Sequence, residues 1–127
     1  MDKLSAFSSE AFNFKGLITQ NEFPSANHVH DLILNRLENV DASLSEAAFY
    51  HFKTPGKMLR AKMAIQSASL AEIDTSISLL WAAAVEVLHN ASLIHDDICD
   101  GDKQRRGRSS IWVKFGQDTA LTLGDWL

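Results

Sequence analysis

A single cysteine, Cys99, stands among the 127 residues, so no internal disulfide can form and the chain fits a reducing compartment. A basic excess is also missing: the formal charge is −4, and a phosphate footprint spread over a domain needs the opposite balance, so no nucleic-acid partner is expected. No uninterrupted run of about 20 apolar residues occurs, and no transmembrane segment is expected. The opening "MDKLSAFSSEAF" lacks the charged-then-apolar pattern of a secretory signal, which makes the expected address cytoplasmic. Internal repeats, low-complexity tracts and strand-like alternation are absent as well. What remains, 46% hydrophobic and 22% charged, is the composition of one ordinary globular domain, which excludes neither an enzyme nor a binding module.

The periodicity is helical, and the reading is all-α. Residues 1–26 form an arm with room for a short helix, and a helical domain occupies 27–127. From Asn27, the apolar residues Val29, Leu32, Ile33, Leu37, Val40 and Leu44 recur at spacings of three and four. "SLSEAAFYHF" reads as a second helix with Ser43 and Glu46 as a capping box. Pro55 and Gly56 break the pattern before a third helix that runs to about Leu70. Asp74 or Thr75 opens the longest helix, "SISLLWAAAVEVLHNASLIHDDI", apolar on nearly every face until its last turns and therefore expected in the middle of a bundle. Ser109 or Ser110 starts another helical piece, and "QDTALTLGDWL" continues as helix.

Three charged constellations sit at helix ends. In the first, "HNASLIHDDICD", a turn of about 100° per residue puts His89, Asp96 and Asp100 on one face. Two carboxylates at i and i+4 repel unless a cation or an arginine lies between them. Mg2+ suits such a pair because it binds through one or two carboxylates and keeps positions for water and phosphate oxygens. The competing reading is a solvated helix end whose acids pair with Lys103, Arg105 and Arg106. A calcium loop counted from Asp96 fails, since Ile98 and Gly107 fall where ligands are required, and zinc lacks a closed nitrogen and sulfur set. The second constellation, "PGKMLR", offers Gly56 for close backbone approach, with Lys57 and Arg60 expected on one face of the first helical turns. The third, "KQRRGR", carries adjacent arginines that diverge and are able to serve two separate phosphate groups.

Taken in order, "GKMLR", "HNASLIHDDICD", "RRGR" and "VKFG" resemble the front part of the trans-isoprenyl diphosphate synthases, the polyprenyl synthetase family, from about residue 27 onward. The resemblance implies an all-α bundle whose central helix presents its acidic end to a deep apolar cavity. It implies that Asp96 and Asp100 bind Mg2+ holding an allylic diphosphate, with Asp97 in support, and that Arg105 contacts the same diphosphate. It assigns Gly56, Lys57, Arg60, His89 and Arg106 to isopentenyl diphosphate. Small residues before the acids, Ala91 and Ser92, imply a product longer than farnesyl diphosphate, with Leu88 or Ala84 as candidate floor.

The sequence departs from the family pattern at Pro55, Met58 and the Ser109–Ser110 pair. It is also less than half the family's usual length, and it lacks a second aspartate-rich motif. An isolated chain inactive by itself is therefore expected, one completed by a C-terminal-half polypeptide or another synthase subunit in a homo- or hetero-oligomer. The alternatives are a non-catalytic regulatory subunit of a full-length synthase and a fragment without independent function.

Overall fold

The structure, a computed structural model, describes residues 23–127. Nearly all of the expected arm, residues 1–22, lies outside the described residues. Helix α1 spans Ala26–Leu37, and its buried residues Val29, Leu32, Ile33 and Leu37 form the expected stripe. The helix ends there although the apolar period continues. Val40 belongs to the following turn and Leu44 to α2, Ala42–Phe52, so one sequence pattern spans two helices. The reason is Asp41, whose Oδ1 accepts from the Ser43 N–H at 2.8 Å and the Ser43 hydroxyl at 2.7 Å. Asp41 is therefore the cap, and with both the Ser43 N–H and its hydroxyl engaged by that carboxylate the expected Ser43–Glu46 box does not form. The two hydrogen bonds from Ser43 hold the Asp41 carboxyl below its ordinary range.

Residues 53–58 are irregular and lead into α3, Leu59–Leu70. Met58 takes a left-handed conformation, φ 51°, immediately before that helix. Lys57 thus precedes the helix and does not share its first turn with Arg60, as the spacing alone suggested. The start of α3 is capped from across the fold: the buried Glu86 Oε1 accepts the Ala61 N–H at 2.9 Å.

Helix α4, Thr75–Asp100, begins at Asp74, which accepts from Ser76 N–H at 2.9 Å, and stops at Gly101. Gly101 has φ 69°, and Asp102 N–H reaches back to the Asp97 carbonyl at 2.9 Å, a closing turn that favours glycine. By length and by a mean hydropathy of 1.5 over its most apolar window, α4 is long and apolar enough to cross a membrane, although polar residues interrupt its apolar run. It packs instead as the core helix of a bundle, against α3, α6 and α1.

A short antiparallel hairpin follows, β1 (Gln104–Arg105) and β2 (Arg108–Ser109), with Arg105 opposite Arg108. Its turn residues Arg106 and Gly107 have φ 53° and 74°, the left-handed pair of a tight two-residue turn. The sequence showed only a charged loop here, because two-residue strands carry no readable alternation. Helices α5 (Ile111–Phe115) and α6 (Gln117–Trp126) complete the described fold, with Ser110 at the start of α5. The single apolar core draws on every helix.

Helix α6 approaches α4 closely at Gly124, where an added Cβ would lie 2.2 Å from the His95 Nε2. That nitrogen is held 3.0 Å from the Leu121 carbonyl, so the ring cannot swing away freely. Gly124→Ala is expected to destabilise by about 1–3 kcal/mol through overpacking, less roughly 1 kcal/mol of helix propensity gained. Urea titration reads this directly, and a Gly124→Ala/His95→Ala chain should recover part of the loss.

Candidate functional site

Two faces of α4 separate what the sequence ran together. Leu79, Ala82, Ala83, Glu86, Asn90, Ala91, Ile94 and Asp97 turn into the bundle. Ile77, Trp81, Ala84, Leu88, Ser92 and Asp96, spaced by three and four, form an open stripe. The expectation of burial on nearly every side is therefore corrected among the described residues: Trp81 is 63% and Leu88 70% exposed. Of the two small residues before the acids, Ser92 lies on this stripe, whereas Ala91 is packed inside.

The acids divide in the same way. Asp96 and Asp100 are exposed, and no described residue donates a hydrogen bond to either carboxylate. Asp97, one residue and about 100° away, is 2% exposed and faces Arg105. Arg105 grips it with a fork, Nη2 to Oδ1 at 2.7 Å and Nε to Oδ2 at 2.9 Å. The structure thus gives Asp97 an ion pair with Arg105, the pairing the solvated-end reading foresaw for all the acids. Asp97 in turn raises the Arg105 pKa, chiefly by hydrogen bonding.

Among the described residues no group of three or more His, Cys, Asp or Glu side chains is arranged to hold a metal. Asp96 and Asp100 nevertheless fit Mg2+: two hard oxygen donors, one helical turn apart, unengaged by other described side chains and open to the waters that this ion retains.

The basic residues come from the hairpin, from the segment before α3 and from the first turn of α3. Arg106 donates from Nη1 to the Thr54 carbonyl at 2.7 Å and from Nη2 to Asn90 Oδ1 at 3.0 Å. Gly56 lies directly against this guanidinium, and a Cβ there would sit 3.1 Å from Nη2. Burial lowers the Arg106 pKa, and the neighbouring Arg105 charge adds to the effect. Arg60 Nη1 lies 3.2 Å from His89 Nε2, which must accept, so the imidazole carries its proton on Nδ1. Burial first, then the Arg60 charge, lowers the His89 pKa. Lys57 is exposed in the loop near them. The structure therefore gathers Gly56 and Arg106, and separately Arg60 and His89, around the start of α3. Asp96 and Asp100 stand at the far end of α4.

Sequence reading passed over several residues that organise this region. Arg108 donates to the Tyr50 carbonyl at 3.0 Å and to Thr54 Oγ1 at 2.9 Å, and its guanidinium lies 3.8 Å from the Tyr50 ring centroid. With Arg106 on Thr54 and His30 Nε2 2.9 Å from the Phe52 carbonyl, the cationic hairpin and α1 satisfy the free carbonyls that end α2. A cleft of about 290 Å³, counting its open mouth, lies between α2 and the hairpin, lined by Thr54, Asp97 and the three hairpin arginines Arg105, Arg106 and Arg108. Arg108 was legible as the last letter of "RRGR"; the buried His51 and Asn90 had no signal beyond being polar in apolar helices.

His51 Nε2 lies 2.8 Å from Asn90 Oδ1. Burial pushes the His51 imidazole down to about 4, opposed by the Asn90 hydrogen bond and reinforced by Arg106 and Arg105. Unfolding releases a histidine that protonates near pH 6.5, so the unfolded chain binds the extra proton between the two values. Stability is complete above pH 6.5 and falls as the pH drops toward 4. The loss approaches about 3 kcal/mol, with roughly 2 kcal/mol gone at pH 5. Urea midpoints measured at pH 7 and pH 5 should show it, and His51→Gln should flatten the slope over that interval.

Comparison with known proteins agrees with this architecture. The Polyprenyl synthetase family model matches residues 41–127. The chain is 41% identical over 101 residues to a geranylgeranyl diphosphate synthase of Saccharolobus solfataricus, covering 80% of this chain and 30% of the relative. It is 32% identical over 104 residues to an octaprenyl diphosphate synthase of Haemophilus influenzae, covering 82% and 32%. Among solved structures, a geranylgeranyl pyrophosphate synthetase from the archaeon Geoglobus acetivorans superposes with a TM-score of 0.73 at 35% identity, over 79% of this chain and 33% of that one. The chain thus spans about a third of the length of the relatives it matches. With the family model matching more than half of its residues, and with its helices superposing on a solved relative, this chain belongs to the polyprenyl synthetase family.

Proposed function

We propose that the chain is the part of a trans-prenyltransferase that binds the two diphosphate substrates, and that it is active when a second polypeptide or segment supplies the facing wall. The observation that carries this reading is the division of the acids: Asp96 and Asp100 stand unpaired at the end of an open apolar stripe, while Asp97 fixes the adjoining Arg105. On this reading Asp96 and Asp100 hold Mg2+, which when bound neutralises the charge that develops on the departing diphosphate. Arg105, oriented by Asp97, faces the allylic diphosphate with its remaining N–H groups. Gly56, Lys57, Arg60, His89 and Arg106 hold isopentenyl diphosphate, Gly56 by letting the anion approach beside the Arg106 guanidinium. The allylic carbon–oxygen bond breaks, the isopentenyl double bond forms the new carbon–carbon bond, and a proton is lost. Ser92, Leu88, Ala84 and Trp81 line the path of the growing chain and keep water away from the allylic cation. A small Ser92 beside the acids suits a product longer than farnesyl diphosphate.

Taken alone, the chain is inactive, self-associates through its exposed apolar stripe, and acts in the cytoplasm. The same stripe also favours a second reading, a non-catalytic subunit that docks on a full-length synthase. To test the first, the chain is mixed with a polypeptide covering the remaining two thirds of a relative and assayed for prenyl transfer with Mg2+. Activity that appears on mixing and disappears with Asp96→Ala supports it. Activity indifferent to that substitution defeats it and leaves the docking subunit.

A further inference from the structure

Arg106 is held in an unusual backbone state. Its φ of 53° costs an L-residue roughly 1 kcal/mol or more, and a glycine at that turn position would avoid the strain. The side chain that this turn projects is then fixed on two sides, by the Thr54 carbonyl at 2.7 Å and by Asn90 Oδ1 at 3.0 Å. Asn90 is itself unambiguous in orientation. Its Nδ2 donates to the Glu86 carbonyl at 2.8 Å, so Oδ1 must be the atom turned toward the arginine. His51 Nε2, 2.8 Å from the same oxygen, therefore donates, and one buried oxygen accepts from the two side chains. His51 and Asn90 are 8% and 5% exposed, so little of either side chain is open to a substrate. The contacts leave Arg106 Nε–H and one hydrogen on each terminal nitrogen without a described partner.

We infer that Asn90 and His51 are positioning residues that hold the Arg106 guanidinium with its remaining donors turned toward a diphosphate. The inference rests on the reading of Arg106 as a ligand of isopentenyl diphosphate. Asn90 supplies the anchor from α4, and His51 fixes that anchor from α2, so the orientation of Arg106 depends on two helices and a strained turn acting together. A purely structural role, capping the end of α2, needs only the Thr54 contact.

The test is binding of isopentenyl diphosphate to the full chain by calorimetry, with unfolding midpoints recorded for every variant. Arg106→Ala should weaken binding roughly 10-fold or more, and Asn90→Ala by about the same factor. The Asn90→Ala/Arg106→Ala chain should bind no worse than Arg106→Ala alone, because both changes remove one interaction. His51→Ala should weaken binding several-fold, and His51→Gln, which still offers a donor to Asn90, should restore it to within about twofold. Should Asn90→Ala not fold, the two His51 variants carry the test. Losses that multiply in the double variant, or a His51→Gln chain as weak as His51→Ala, overturn the inference. So does wild-type affinity in Asn90→Ala beside a weakened Arg106→Ala, an outcome that leaves the reading of Arg106 standing. Wild-type affinity in Arg106→Ala overturns that reading and the inference together.

Discussion

Asp97→Ala lowers the unfolding free energy by about 3–5 kcal/mol, the largest stability loss expected of any single change at the acidic end of α4. The carboxylate is 2% exposed and held by two short hydrogen bonds from Arg105. Removing it leaves a partly buried guanidinium without its counter-charge, and it frees the hairpin strand that carries Arg105. The reciprocal Arg105→Ala should cost as much or more, because the stranded charge would then be the deeply buried one. Replacing both residues by apolar side chains of similar volume should recover most of the loss, since a buried pair is costly to break yet contributes little over a hydrophobic contact. Denaturant titration of the two single variants and the double one separates these outcomes. Equal small effects throughout would mean that solvent reaches the pair far more than its burial implies.

Asp96→Asn and Asp100→Asn should behave in the opposite way. Both carboxylates are exposed and engage no described residue, so stability should stay within about 0.5 kcal/mol of the parent chain. Relief of like charges one turn apart even favours the helix by a few tenths of a kcal/mol. The cost falls on metal-dependent anion binding, where loss of either of two first ligands should reduce affinity at least roughly 10-fold. On the proposed reading, three aspartates within five positions separate into one expected to stabilise the fold and two expected to serve a ligand.

That separation was only partly legible in the sequence. The start of α4 at its Asp74 cap appears where expected, and its Gly101 stop, two residues beyond the expected end, follows from local chemistry as well. The shared face of Asp96 and Asp100 follows from helix geometry alone. Which face of α4 is buried does not: the helix is apolar on both sides along most of its length, so its pattern points equally toward the bundle and toward the open stripe. Helix geometry set Asp97 on another face from Asp96 and Asp100, but for that reason it did not show that the face of Asp97 is the buried one. The end of α1 was hidden because Val40 and Leu44 continue its period across a turn that Asp41 imposes. Lys57 and Arg60 were misjudged as helical neighbours because the left-handed Met58 is not a residue that announces such a turn. His51 and Asn90 matter through contacts 39 positions apart in the chain, and no local pattern encodes them.

The central claim is that Asp96 and Asp100, rather than Asp97, form the ligand side of the acidic segment. Calorimetric titration of inorganic diphosphate into the full chain, with and without Mg2+, tests it most directly. The account predicts Mg2+-dependent binding that is lost in the Asp96→Asn/Asp100→Asn chain and retained by an Asp97→Asn chain under conditions where that variant remains folded. A titration with no Mg2+-dependent component, or one whose Mg2+-dependent component survives removal of both exposed aspartates, would contradict it.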